Sequence, residues 1–345
     1  MPTSLPIPDH VALLAAQSRQ NRLTKPTGSL GMLEDIACRF AAWQQREIPQ
    51  LPHAAITVFA ADHGVTAEGV SAYPSAVTAE MVKNFAAGGA AICVLARQHQ
   101  ARLEVVDVGV ASTLPPLGEQ VVNAKVMAGT HNLARQAAMS RGQVQDALEA
   151  GRAAARRAVA AGATLLIAGD MGIGNTTASA ALICRFCALP AATVVGRGTG
   201  VDDAGVQLKT RVVEAALARL TPQAEAQAVL AEVGGLEIAA MAGFYLEGAR
   251  LGVPSLVDGF IAAAAALVAQ ALEPDSILWL MASHRSQETG HLAALEHLGL
   301  IPLVDFRLRL GEGSGAALVL PLIASAILLH GEMATFDSAG VSDKA

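Results

Sequence analysis

Apolar and β-branched runs recur along the chain, each ending near Gly, Asp or Ser. They cover residues 55–60, 103–108, 164–168, 193–195, 255–257 and 277–281. They are apolar throughout rather than alternating, which predicts strands buried on both faces of a parallel sheet. Stretches with amphipathic helical spacing separate many of them, among them 77–96, 143–161 and 203–220. Parallel neighbours require right-handed crossovers, and these helices supply them. The expected fold class is α/β, a doubly wound parallel sheet with helices on both faces. The first ~50 residues carry helical spacing but no strand signal, and a last helical stretch, 316–329, follows the final strand. A small helical lobe from the two chain ends (1–49 and 311–345) is therefore expected beside a large domain over 50–310. No repeat, low-complexity linker or charge block marks the boundary.

Composition narrows the function classes. Of 345 residues, 52% are hydrophobic and 16% charged, which excludes a disordered chain. With 8 Phe, 2 Trp and 2 Tyr, the core must be built from Ala, Leu, Val and Ile. The net charge of −6 gives no electrostatic footprint for nucleic acid or anionic lipid. A mean hydropathy of +0.42 raises the membrane question. The longest apolar run, 313–329, contains Ser314, Pro321 and Ser325 and falls short of the ~20 residues a spanning helix needs. The start, Met1-Pro-Thr-Ser-Leu-Pro, lacks the features of a signal peptide, so a cytoplasmic protein without a membrane span is expected. Cys184-Arg-Phe-Cys187 lies in an Ala-rich helical pattern without a second such pair or nearby His ligands, and reads as packed thiols.

Two segments stand where strands give way to helices, the place ligands occupy in an open parallel sheet. In Leu166-Ile-Ala-Gly-Asp-Met-Gly-Ile-Gly-Asn-Thr-Thr177, a strand enters a glycine-rich turn and then a helix starting near Thr176. Free amides at such a junction favour a phosphate or carboxylate, and Asn175, Thr176 and Thr177 add side-chain donors. The segment is equally that of a tight turn with Thr capping the helix. It is neither a Walker A loop nor a dinucleotide fingerprint. In Arg307-Leu-Arg-Leu-Gly-Glu-Gly-Ser-Gly315, Glu312 is framed by Gly311 and Gly313. Small neighbours let a carboxylate meet a planar ligand closely, while the plainer reading is a Glu stabilising the helix that follows. Ala61-Asp-His-Gly64 leads into a turn-rich loop, in which His63 reads as a structural histidine bonded to nearby backbone. Gly196-Arg-Gly-Thr-Gly200, with Lys209 beyond it, and Ser283-His284-Arg285-Ser286 are weaker signals. No serine sits in a nucleophile-elbow motif.

Taken in order, Lys25-Pro-Thr-Gly-Ser-Leu-Gly31, Ala61-Asp-His-Gly64, Gly129-Thr-His-Asn132, the 169–177 turn, Val257-Asp-Gly-Phe260, Ser283-His284 and Arg309-Leu-Gly-Glu-Gly-Ser-Gly-Ala316 form a specific set. The set closely resembles the nicotinate-nucleotide:dimethylbenzimidazole phosphoribosyltransferase family over nearly the whole chain. The resemblance implies a Rossmann-like sheet with a helical lobe, assembled as a homodimer. It implies transfer of the phosphoribosyl group of nicotinate mononucleotide to 5,6-dimethylbenzimidazole, giving α-ribazole 5′-phosphate and nicotinate for the lower ligand of cobalamin. No cofactor or metal is implied, because a pyridinium leaves unaided and no pyrophosphate departs. By the same match, Glu312 is the base that takes the ring proton. Asp170, Gly172, Gly174, Asn175, Thr176, Thr177, Lys209, Ser283, Gly311 and Gly313 would bind substrate. The segment 71–81, with Tyr73 and Met81, would line the acceptor pocket. Asp170 stands where the family commonly has Glu, and a supporting or ribose-binding role accommodates the shorter acid best. Transfer to another base (adenine, another benzimidazole or a phenol) is the alternative within enzymology. A catalytically silent nucleotide sensor is the alternative outside it, and an intact, glycine-framed Glu312 argues against that.

Overall fold

The computed structural model describes residues 4–342. The first and last three residues, part of the expected helical lobe and of the inspected N-terminus, lie outside that range.

Six strands form one parallel sheet: β1 (Ala54–Ala61), β2 (Arg102–Gly109), β3 (Val121–Asn123), β4 (Leu165–Met171), β5 (Ser255–Val257) and β6 (Leu280–Ala282). Their order is β3-β2-β1-β4-β5-β6, so β1 lies inside the sheet with β2 and β4 on either side. The continuous apolar runs have the expected cause, since seven of the eight residues of β1 are buried. Two further strands, β7 (His284–Ser286) and β8 (Val304–Leu308), pair in parallel as a separate small sheet.

The aromatic-poor composition is absorbed by close helix packing. The helix Leu236–Arg250 lies against Arg141–Ala160, and glycines sit where they touch. A Cβ at Gly151 would collide with the Ala240 carbonyl, and one at Gly243 with the Leu148 carbonyl. Small residues let the backbones approach, so dispersion contacts of many atoms replace large side chains. The helix Phe260–Leu272 is buried continuously from Phe260 to Ala269.

The chain ends meet. Arg19 donates to the carbonyls of His330 (2.8 Å) and Gly331 (2.9 Å), and the Gln20 amide is 2.8 Å from His330 Nδ1. The helix Met32–Gln44 packs on Leu320–Glu332, and Leu23 bridges Thr335 in antiparallel fashion.

Three expected elements are corrected. Residues 193–195 are not a strand; Pro190 caps a helical turn, Ala191–Val194, despite its β-branched residues. Residues 277–279 belong to a 3₁₀ turn, Pro274–Trp279, and sheet pairing in that segment starts at Leu280. The expected helix over 77–96 is two helices, Ala76–Ala86 and Ala91–Gln98, broken at Gly88 with φ 75°. The stretches Ala76–Gln98 and Ser314–Glu332 are long and apolar enough, by length and composition, to cross a membrane. In the fold the second is likewise divided, into Ser314–Leu318 and Leu320–Glu332.

Candidate active site

The sheet order reverses at β1 and β4, because the chain passes outward through β2 and β3 before returning to the other side of β1. Loops leaving two such strands diverge and open a crevice at their C-terminal ends. A cavity of about 480 Å³ lies at this end of the sheet, walled by the segments after β4, β5, β7 and β8, by Gly198–Thr199 and by the helix Ala76–Ala86.

Glu312 lines this cavity and is 5% exposed. Its backbone is left-handed, φ 64°, between Gly311 at 86° and Gly313 at 84°. A non-glycine residue in that region costs roughly 1–2 kcal/mol, so the fold holds it there against a local preference. The carbonyl of Glu312 lies against Gly169, where any Cβ would collide with it. That close approach explains a glycine near the end of β4. The carboxylate Oε2 accepts from the amide of Ile92 at 3.3 Å, in the first turn of the helix Ala91–Gln98. Burial raises the Glu312 pKa, with this hydrogen bond opposing and the nearby Asp258 charge adding to the rise. A carboxylate raised in this way is a better proton acceptor than a solvated one.

Asp170 lies on β4 and also lines the cavity. Burial and then the Asp258 charge push its pKa up to about 8, so it is mostly protonated at neutral pH. Its Oδ2 accepts from Asn175 Nδ2 at 2.9 Å. The turn from Gly172 to Gly174 leads directly into the helix Asn175–Phe186, and Gly174, at φ 96°, caps it by its backbone alone. The amide of Ile173 donates to Thr78 Oγ1 at 3.2 Å, tying the turn to the helix Ala76–Ala86.

Behind the turn, Lys209 is 1% exposed. Its Nζ donates to Thr176 Oγ1 at 2.9 Å and to the Gly196 carbonyl at 3.2 Å. Burial lowers its pKa to about 8, with the Glu288 charge pulling the other way. A cation lies within one hydrogen bond of a hydroxyl on the cavity wall, beside a helix N-terminus. This arrangement suits an anionic group.

The fold brings Tyr73, Met81, Asp170, Gly172, Asn175, Thr176, Gly311 and Glu312 to the cavity. Gly174, Thr177, Lys209, Ser283 and Gly313 do not line it. Thr177 is fully buried in the helix, and the Ser283 hydroxyl donates to the Val257 carbonyl at 2.8 Å, joining β6 to β5. Other expectations need correcting. Thr does not cap the helix at 175. His63 is structural but pairs with a side chain rather than the backbone, its Nε2 standing 2.6 Å from Glu237 Oε1. Glu312 does not turn back on its own helix; its carboxylate meets the amide of Ile92 instead. Cys184 is buried and Cys187 half-buried, with burial pushing their pKa values to about 12 and 11.

A family model described as a phosphoribosyltransferase matches residues 5–341. The nicotinate-nucleotide–dimethylbenzimidazole phosphoribosyltransferase of Chromobacterium violaceum is 66% identical over 345 residues, covering 100% of this chain and 99% of the relative. The chain belongs to this phosphoribosyltransferase family. A family member of the same name from Ectopseudomonas mendocina is 53% identical, covering 97% of this chain and 96% of that protein. The crystal structure of the Thermus thermophilus family member superposes with a TM-score of 0.93 at 49% identity, covering 97% of this chain and all of that one.

Within this family frame, the cavity also gathers residues to which sequence reasoning gave no role: Thr199, Phe260, His284, Ser286, Glu288 and Arg309. Arg309 Nη1 donates to the Gly198 carbonyl at 3.2 Å and spans two walls. Burial lowers the His284 pKa to about 4, leaving a neutral ring at the wall. Several of these lie in segments already conspicuous for glycines or His, but nothing local indicated their direction. No group of three or more His, Cys, Asp or Glu placed to hold a metal ion occurs among the described residues.

Proposed function

We propose that this chain transfers the 5-phosphoribosyl group of nicotinate mononucleotide to 5,6-dimethylbenzimidazole, releasing nicotinate and forming α-ribazole 5′-phosphate. The observation that carries the reading is a buried carboxylate, Glu312, on the wall of a cavity that is also lined by the glycine-rich turn at 170–176, backed by Lys209. The donor phosphate sits at the 172–176 turn, with Thr176 and Lys209 meeting its charge. The flat acceptor lies between Tyr73, Val77 and Met81 on one side and Gly311–Glu312 on the other. One ring nitrogen attacks C1′ opposite the departing pyridine nitrogen, inverting the centre. The bonding pair of the C–N bond leaves with nicotinate and neutralises its pyridinium. Positive charge would then accumulate on the attacking ring, and Glu312 removes it by taking the proton from the other nitrogen.

Incubation with both substrates in the presence of a chelator tests the assignment. Nicotinate and α-ribazole 5′-phosphate should appear together by chromatography, at a rate unaffected by the chelator. Nicotinate release without the ribosylated base, or no reaction, would sink it. Release with adenine or a phenol but not with the benzimidazole would favour another acceptor.

Asp170 acts here as a neutral acid whose proton faces the ligand. Replacing it with Asn keeps a neutral donor of the same shape, so most of kcat/KM should survive at pH 7. Asp170→Ala should lower kcat/KM by about 10-fold while the protein stays folded, the loss expected from one hydrogen bond to a bound ligand. Wild-type kinetics in the Ala variant would remove Asp170 from the site.

The chain is also proposed to work in the cytoplasm as a homodimer, its two end segments forming a small helical lobe. Support for a second copy comes from Ile7, Val11 and Leu14, which are 73%, 77% and 51% exposed around the first helix. Such side chains in a group are typical of a covered surface.

A further inference from the structure

Three successive residues, Gly311, Glu312 and Gly313, have positive φ, and Glu312 alone among them carries a side chain. Glycines permit this path without enforcing it, because they are equally free to leave it. Something else must fix the segment. In its middle, the Glu312–Gly313 peptide is wedged against Gly169 of β4. On its C-terminal side, the amides of Gly313 and Ala316 both donate to the Asp258 carboxylate, at 3.2 Å to Oδ2 and 2.8 Å to Oδ1. Asp258 follows β5 directly and is 1% exposed. It is not part of the cavity wall, so it has no surface with which to meet substrate.

We infer that Asp258 is a positioning residue for Glu312: its carboxylate grips the backbone just beyond the base and so sets where the base stands in the cavity. This rests on the reading of Glu312 as the proton acceptor. The grip suits the task because β5 is a fully buried strand paired on both sides, and a carboxylate at its end moves little. Two amides on one carboxylate also define orientation as well as distance. His284 Nδ1 lies 3.9 Å from Asp258 Oδ1, but its pKa is lowered to about 4, so the neutral ring makes no ion pair with Asp258, whose own pKa burial pushes up to about 7 against the loop amides' bonds.

Asp258→Asn keeps the volume but turns one accepting oxygen into a donor, so one loop amide loses its partner. Its kcat should fall about 10-fold or more, since small misplacements of a catalytic group are costly. Donor affinity by calorimetry should stay within about 3-fold, because the 172–176 turn is untouched. The decisive reading is a double-mutant cycle with Glu312→Gln. If Asp258 works through Glu312, adding Asp258→Asn to the Gln variant should lower kcat by less than about 2-fold more. A full multiplicative loss in that background overturns the inference, as does wild-type kcat in Asp258→Asn. Asp258→Ser provides a second route should the Asn variant fail to fold. If neither variant yields a protein that binds nicotinate mononucleotide, Asp258 is a folding residue and the inference falls. Normal turnover in Glu312→Gln itself would instead remove the base, and with it the ground for the inference.

Discussion

Glu312→Gln should lower kcat by about 10²-fold or more while leaving donor affinity nearly unchanged. The amide has the volume of the acid and can still accept from the Ile92 amide through its carbonyl oxygen, so the local structure should persist. What it loses is the ability to take a proton. The pH profile adds an independent reading. Burial raises the Glu312 pKa, so the wild-type enzyme should lose kcat/KM as pH falls through that raised value and the base becomes protonated. The Gln variant should lack that acid limb. Acceptors that arrive already anionic have no ring proton to give, so their rates should fall less. If Glu312 merely braced its loop, melting temperature would drop while kcat stayed near wild type. A stable variant with wild-type turnover would end the base mechanism.

Glu312 also shows where sequence stops being informative. Its glycine frame is local, so the chain displayed the unusual acid plainly, just as continuous apolar runs displayed β1, β2, β4 and β5. Its partners are not local: Ile92 is 220 positions away and Gly169 belongs to another strand. Periodicity reports which face of an element is buried, but not which helix start faces which carboxylate. The same limit explains Lys209, a weak signal along the chain because Thr176 and the Gly196 carbonyl are brought to it only by folding. β8 escaped notice because its middle residues, Asp305, Phe306 and Arg307, are exposed and give no apolar run. Residues 193–195 misled in the opposite direction: two valines and a threonine favour a strand, yet Pro190 and tertiary packing place them at the end of a helical turn.

Lys209→Met should raise the Kd for nicotinate mononucleotide by about 10–100-fold, the range expected when a charge-assisted hydrogen bond is lost. The methionine keeps most of the apolar stem, so packing behind the turn changes little, while Thr176 loses the ammonium that orients its hydroxyl. The effect belongs to binding, and kcat at saturating donor should fall much less. A pH series separates charge from shape. The donor's phosphate is a dianion above about pH 6, and burial sets the free Lys209 pKa at about 8 with Glu288 nearby. Both charges are present between those values, so wild-type affinity should be greatest there. Above pH 8 the free enzyme must take up a proton to bind, and affinity should weaken with each further unit. In the Met variant this alkaline decline should disappear, leaving weak binding that is flat from pH 7 to 9. Wild-type affinity in the variant would show that the phosphate is held by the turn's amides and Thr176 alone. A persistent alkaline decline would assign that titration to another group, with Asp170 the first to test because its own pKa is also about 8.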